Sequence, residues 1–506
     1  MSVGSPSRAA PAGPAGAPRP APGDLGRRAD WAVVGMAAVA AIVLSWLSVA
    51  RHRAFWTGRF DLGNMAQAVW STAHGRPLET TDAAGRQFSR LGAHVDPLLG
   101  ALAPLWAIWP RPEMLLVVQA IAVSLGALPA FWLGRRWLGD DRLAMAAAAV
   151  YLLYPPIGWA TVTEFHPVTL AAPLLMYAIW AAETGRMWHL ALFAGLALMA
   201  KEQVGLALVM LAIWMAVRGR RRAGAILAGV SAAWVAFAVL VVIPHYNEGR
   251  GSAFLSRYGE AGDGPGDVAR AFLTHPWEVF TTLGDPGRIG YLAALLVPLL
   301  LLSLVAPLLA LGALPDLALN LLADWWPQQS IEYQYGAVIA PFLVASAILG
   351  LARMRARTRP AALARALASP VRVAVGAVLI MLVSLVLMGP LPVPPAVSIA
   401  SESRLSQYER GPHARVLAEA VAMVPDGVPV SAGNLIAAHL SNRRRIMTFP
   451  TIDEARWVLV DERRPYVADR LNARDHALEL AILRARRDFR VVFDRDGVLV
   501  FRRVAP

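Results

Sequence analysis

The chain has 506 residues, 57% of them hydrophobic and only 16% charged, with a formal net charge of +13 and no cysteine. A soluble domain carries about a quarter charged residues, so this composition excludes an ordinary globular protein and points to a polytopic membrane protein. Without Cys there is no disulfide framework, thiolate metal site or cysteine nucleophile, and the excess Arg falls in short loops between apolar runs, as membrane topology requires, rather than on a nucleic-acid-binding face.

Residues 1–29 are rich in Ala, Pro and Gly, cannot bury a core, and are expected to form a disordered cytoplasmic tail. Asp30 to Ala50 is the first expected span, read as retained because its apolar part is longer than a signal-peptide core. Arg27 and Arg28 place the N-terminus in the cytoplasm, so the loop 51–96 is external. Pro97 to Trp109 is apolar but short and reads as a juxtamembrane helix. Further apolar segments are Glu113–Trp137, Leu143–Tyr154, Val168–Ala182, Trp188–Ala200, Val204–Val217, Ala225–Ile243, Ile289–Ala306, Leu308–Leu322, Gly336–Leu351 and Val371–Met388. This gives an α-helical membrane domain over 30–390 with about 11 spans. A second external loop is expected from His245 to Arg288. The Arg clusters at 135–136, 218–222 and 353–357 then fall on one side, and Asp61, Glu164, Glu202 and Glu332 on the other.

The pattern changes from residue 391, where a small extracytoplasmic α/β domain (391–506) is expected. Strands are predicted at Gly427–Ser431, Arg445–Phe449 and Trp457–Asp461, and helices at Asn434–Leu440 and Ala477–Arg484. Phe489–Asp494 and Val498–Arg502 flank Asp496-Gly497 and read as a hairpin.

The chemistry gathers at the external face. Asp61 is the candidate catalytic base, since a carboxylate at a membrane face can abstract a proton once its surroundings tune its pKa. The plainer reading is that Asp61 caps the helix running to Trp70. His94 and Asp96 precede Pro97 and are candidate substrate-binding groups, or simply a turn opening a helix at Pro97. Glu164 and His166 flank Phe165 in a short loop, so alternation points both the same way. Lys201 and Glu202 lie between two spans, where a Lys pairs with an acid, meets an anionic ligand or snorkels. Tyr333, Gln334 and Tyr335 can hold a sugar or belong to an aromatic belt, to which Trp325 and Trp326 are assigned. Arg443, Arg444 and Arg445 read as a solvated face that could also meet phosphate or lipid headgroups. Arg257 and Tyr258 stand too isolated to assign. His and carboxylate show no metal-ligand spacing, and no nucleotide fingerprint occurs.

Taken together, Phe60-Asp61-Leu62-Gly63, His94-Val95-Asp96-Pro97, Gly134-Arg135-Arg136, Glu164-Phe165-His166-Pro167, Lys201-Glu202-Gln203 and Gln334-Tyr335 resemble the GT-C class of polyprenyl-phosphate-dependent glycosyltransferases. More closely, they resemble a bacterial family of predicted multispanning proteins of unknown function related to the protein O-mannosyltransferases. The segment from Pro429 to Pro450, with His439-Leu440-Ser441-Asn442-Arg443, is similar to the same family. The resemblance implies a GT-C-like fold, an acidic base in the first external loop at Asp61, a sugar donor on a polyprenyl phosphate and an envelope acceptor. Two features depart from the O-mannosyltransferase pattern. Leu62 follows Asp61 where those enzymes have a tandem Asp-Glu, and Val95-Asp96 separates His94 from Pro97. Acceptor type and metal need are therefore left open, and no cofactor is called for.

The first expectation is inverting sugar transfer in the cytoplasmic membrane, with Asp61 as base, Lys201 at the leaving phosphate, and Glu164 and His166 positioning substrate. The alternatives are a transporter or flippase using Lys201, Glu202 and Glu164 as an ion relay, or a non-catalytic envelope scaffold. Transporters of that kind carry internal repeats with matching broken helices; no clear repeat is seen.

Overall fold

The computed structural model describes residues 24–252, 254, 256–258, 274, 277, 284–357, 361–401, 404–464 and 473–504. Most of the expected tail and the body of the expected second loop lie outside these residues. Where the tail is described, the expectation is corrected: the chain is helical from Asp24 and runs unbroken to Arg53.

Among the described residues, five helical segments are long and apolar enough to cross a bilayer: Arg27–Arg53, Glu113–Leu138, Arg221–Tyr246, Ile339–Arg357 and Pro370–Met388. Asp141–Leu153 and Pro155–Val162 make a sixth if taken as one span bent by 44°. The bend falls where Pro155 forces Tyr154 out of helical geometry, at ψ 118°. Pro97–Ile108, Met187–Leu198, Val204–Val217 and Pro307–Leu322 are apolar but shorter. The chain is thus a multi-pass membrane protein. Its outer surface agrees, since Ile42 is 69% exposed and Leu240 66%, and only lipid makes such faces inexpensive.

The expected span Ile289–Ala306 is not continuous. The helix Pro286–Leu296 ends, Leu300 and Leu301 take positive φ of 52° and 56°, and a 3-10 turn follows at Leu302–Val305. The turn packs on the helix Ile339–Arg357 so closely that a Cβ at Gly350 would lie 2.1 Å from the Leu302 carbonyl oxygen. Irregular backbone is tolerated at such a depth only where protein covers it.

The C-terminal strands form one five-stranded mixed sheet in the order β4-β3-β5-β7-β6. β3 (Val430–Ala432) lies parallel to β4 (Ile446–Thr448) and β5 (Trp457–Asp461). β7 (Val498–Arg503) is antiparallel to β5 and to β6 (Phe489–Arg495), with Asp496 and Gly497 both at positive φ in the turn. A helix not foreseen from the sequence, Pro412–Ala422, packs on β7. Also unforeseen is a short hairpin, β1 (Glu79–Thr81) with β2 (Gln87–Ser89), in the loop after the first helix. That loop covers the open edge at β4: Ile446 N–H reaches Thr81 Oγ1, and the Arg59 guanidinium donates to Ile446 O. An edge strand left bare would invite foreign pairing.

Candidate active site

After Arg53 the chain reverses and enters a single π-turn, Arg59–Gly63, closed by Gly63 N–H on Gly58 O at 3.0 Å. Isolated π-turns are rare and recur at functional sites. Arg59 and Leu62 are fully buried and anchor the turn, which leaves the Asp61 side chain 48% exposed between them. Asp61 does not cap the following helix, Asn64–Ala73. That helix has Gly63 at its N-cap and no side-chain cap, so the plainer reading of Asp61 is set aside.

Asp61 instead faces the segment Glu164–Pro167. Phe165 is buried, and Glu164 and His166, on either side of it, both reach the turn. His166 Nε2–H donates to Asp61 Oδ1 at 2.9 Å. The Glu164 carboxylate accepts the N–H groups of Gly58 (3.0 Å) and Leu62 (2.8 Å). Gln119 holds this segment in place, accepting His166 N–H and donating to Glu164 O. The two carboxyl groups are driven apart in acidity. Burial pushes Asp61 up, but the His166 hydrogen bond and the charges of His166, Arg90 and Arg257 outweigh it and hold Asp61 below the usual carboxylate range. Burial and the nearby Asp61 charge push Glu164 well above that range, against the pull of its two amide donors. Divergent pKa values in neighbouring carboxyls mark candidate acid–base sites.

His94 and Asp96 join a second cluster beside the first. Arg90 donates to Asp96 Oδ2 from Nε (2.8 Å) and NH2 (2.7 Å), and from NH1 to Asn64 Oδ1 (2.8 Å). Pro97 opens a 3-10 turn, as its place after Asp96 suggests. His94 Nδ1 lies 2.9 Å from Glu202 Oε1, and Val95 N–H donates to Glu202 Oε2 at 2.9 Å. Burial raises Glu202, but His94 and Lys201 prevail and bring it down to about 2. Burial, with Lys201 next, lowers His94. Lys201 is half-buried, and among the described residues its ammonium makes no hydrogen bond or close ion pair. Burial lowers its pKa and Arg257 adds to the effect, while Glu202, Asp316 and Asp96 oppose it.

Arg257, which sequence reasoning left unassigned, closes this region. Its guanidinium donates to Tyr335 OH (3.1 Å) and, more weakly, to Gln328 Oε1 (3.4 Å), and lies over the rings of Phe254 (4.6 Å) and Trp325 (5.4 Å). Phe254 in turn stacks on His94 at 4.4 Å. Trp325 therefore packs against a site cation rather than serving only as belt. Tyr335 joins Arg257, Gln334 opens the short turn Gln334–Gly336, and Tyr333 stands edge-on to Trp326. A signal for Arg90 and Arg257 was available: both lie in loops assigned to the acidic side, against the charge bias, and Phe254 lies one helical turn before Arg257.

The Arg run at 443–445 is not a solvated face throughout. Arg443 is buried and donates to the carbonyls of Leu440, Pro425 and Val428, while Arg444 and Arg445 pair with Glu79 and Glu454. Among the described residues no group of three or more His, Cys, Asp or Glu is arranged to hold a metal ion.

The fold is similar to that of ArnT, a GT-C glycosyltransferase from Cupriavidus metallidurans solved in the apo state. The TM-score is 0.52 at 14% identity, over 94% of this chain and 98% of that one. No curated protein matches the sequence. The family model for "Predicted membrane protein (DUF2079)" matches residues 51–500, which include the π-turn, the Glu164–His166 segment, the Lys201–Glu202 pair and the C-terminal sheet. The chain belongs to that DUF2079 family and has a fold like that of ArnT.

Proposed function

We propose that the protein is a GT-C-type glycosyltransferase that moves a sugar from a polyprenyl-phosphate donor to an acceptor hydroxyl on the extracytoplasmic side of the cell membrane. The observation that carries this reading is the half-exposed Asp61 carboxylate, held by His166 under the charges of two cations, Arg90 and Arg257, the second of which also acts on Lys201. Asp61 accepts the acceptor's hydroxyl proton as that oxygen attacks the anomeric carbon. The bond from that carbon to the phosphate oxygen breaks with inversion, and its electron pair leaves on the phosphate. Lys201 and Arg257 neutralise that phosphate. Lys201 is suited to the task because, among the described residues, no side chain already satisfies its ammonium. Glu164 fixes the turn through Gly58 and Leu62. Tyr335 and Phe254 offer ring surface to a sugar.

An Asp below the usual carboxylate range is a poor base at neutral pH. An anionic donor changes this. By neutralising the cations that depress Asp61, it raises the affinity of Asp61 for a proton in the donor complex, so the base strengthens only when donor is bound. In this topology the N-terminus is cytoplasmic, and residues 391–506 form an outer α/β unit meeting the envelope acceptor.

The test is transfer of radiolabelled sugar from a panel of polyprenyl-phosphate sugars in membranes containing the protein, with the anomeric configuration of the product determined. Inverted product from one donor class supports the reading. Retention of configuration, or flux of the donor across proteoliposomes without covalent product, would overturn it, the latter in favour of transport.

A further inference from the structure

The turn that carries Asp61 is gripped from two sides. Glu164 holds it from the membrane helices. On the opposite side it is held by the C-terminal sheet. Asn434 follows β3, the buried strand between β4 and β5, after one residue. Its Oδ1 accepts Arg59 N–H at 2.7 Å and Phe60 N–H at 3.2 Å, the two amides immediately before Asp61. The Arg59 side chain runs into the sheet, donating to Ile446 O (3.0 Å) and Thr448 Oγ1 (3.1 Å) of β4 and to Thr81 O. Gln67 Nε2, one turn further on, donates to the carbonyls of Arg443 (3.1 Å) and Arg444 (2.8 Å). The approach is too close for side chains on the turn itself. A Cβ at Gly58 would lie 2.7 Å from Asn434 Nδ2, and one at Gly63 would lie 2.7 Å from Ser441 Oγ and 3.1 Å from Ala438 Cα.

From this we infer that the C-terminal sheet is part of the machinery of the Asp61 site, with Asn434 as a positioning residue that sets the distance from Asp61 to His166. The inference rests on the proposed role of Asp61. A buried side-chain oxygen that takes two consecutive backbone amides fixes the two peptide planes that meet at the Arg59 Cα, and the second of them ends at the Phe60 Cα, one residue before Asp61. Arg59, buried among sheet carbonyls, prevents the turn from rotating about that point. With the base gripped between Glu164 and Asn434, a small displacement of either region moves the carboxylate relative to substrate. Misplacement by about 1 Å is enough to cost a reaction roughly 100-fold.

Two variants and two readouts test this. Asn434→Leu keeps the branched shape and removes the acceptor; Asn434→Asp keeps the acceptor oxygen. The first readout is transfer, with kcat and donor KM separated. The second is independent of transfer: the pH at which a water-soluble carbodiimide with an amine half-modifies Asp61, followed by peptide mass spectrometry. The expected result for folded Asn434→Leu is a fall in kcat of about 10- to 100-fold with donor KM changed less than about 3-fold. Its Asp61 midpoint rises as the His166 contact loosens. Asn434→Asp recovers most of kcat. Gly58→Ala, whose added methyl displaces Asn434 from the other side, shifts the midpoint in the same direction as Asn434→Leu. A folded Asn434→Leu protein with wild-type kcat and an unmoved midpoint would overturn the inference, as would an Asp variant as impaired as the Leu variant. If the wild type transfers no sugar, the midpoint alone decides. A shift in Asn434→Leu upholds positioning while the transfer reading falls, and no shift rejects positioning.

Discussion

The two ends of the helical bundle carry the same kinds of charge and use them differently. At the end where the first helix begins, Arg outnumbers the acids, and the acids are held. Arg135 bridges Asp30 and Asp141, each at 2.6 Å, and buried Glu183 takes Arg136 (2.9 Å), Trp137 Nε1 (3.1 Å) and Arg218 (3.3 Å). Arg220 covers the carbonyls of Ala182 and Glu183. At the Asp61 end, Lys201 has no close partner among the described residues, Arg257 spends its donors on neutral Tyr335 and Gln328, and Asp61 is half open. Ionisable groups beside a membrane are costly unless they are paired or used. The acids of the first end are paired, so these pairs serve topology and stability. The second is under-paired, which is the arrangement expected where a charged ligand completes the set.

The sharpest way to break that contrast is at Lys201. Lys201→Ala is expected to lower kcat/KM for an anionic donor by about 10- to 100-fold, the worth of one charge-assisted contact. The thermal midpoint should hold or rise, because a partly buried cation with no close partner among the described residues is removed. A fall in stability without a kinetic effect would make Lys201 a structural residue like those at the opposite end.

His166 tests the electrostatics. The His166 hydrogen bond and charge lower the Asp61 pKa, so His166→Phe raises it. Transfer that needs ionised Asp61 then loses activity at higher pH than in the wild type, and the acid limb of kcat/KM moves upward. A limb in the same place would mean that another group titrates. In the wild type, the proposed donor effect adds a second sign: the acid limb of kcat in the donor complex lies at higher pH than that of donor kcat/KM, which reports the free enzyme.

The smallest expected effect is at the paired end. Glu183→Gln loosens Arg136 and Arg218, whose side chains are already 40% and 52% exposed, so solvent screening limits the loss to about 1 kcal/mol. Differential scanning fluorimetry should register a small drop while sugar transfer stays within about twofold. A larger loss of transfer than of stability would join the two ends functionally and remove the contrast.

Much of this arrangement was legible in the sequence, for reasons that also explain what was not. Period and composition located the apolar helices, the Asp496-Gly497 hairpin and strands β4 and β5, because local propensity and burial agree there. The alternation in Glu164-Phe165-His166 correctly set both polar groups on one side of a buried Phe. The break in Ile289–Ala306 was hidden, since an unbroken apolar run reads the same whether the backbone is helical or covered by Gly350 of another helix. Arg257 and Asn434 were missed for a related reason. Each acts on residues about 80 to 375 positions away, and a local pattern carries no record of such contacts. Nothing in the local sequence sets Arg59 apart from other loop arginines, although it is among the most buried side chains of the described residues.

The central claim is that Asp61 takes the proton in the transfer step. The most direct measurement is single-turnover transfer by purified, reconstituted Asp61→Asn and wild-type protein at saturating donor, with thermal unfolding of both as control. The account predicts a loss of about 10²- to 10⁴-fold in the transfer rate with donor binding kept and the thermal midpoint little changed. Transfer at the wild-type rate by well-folded Asp61→Asn protein would contradict it.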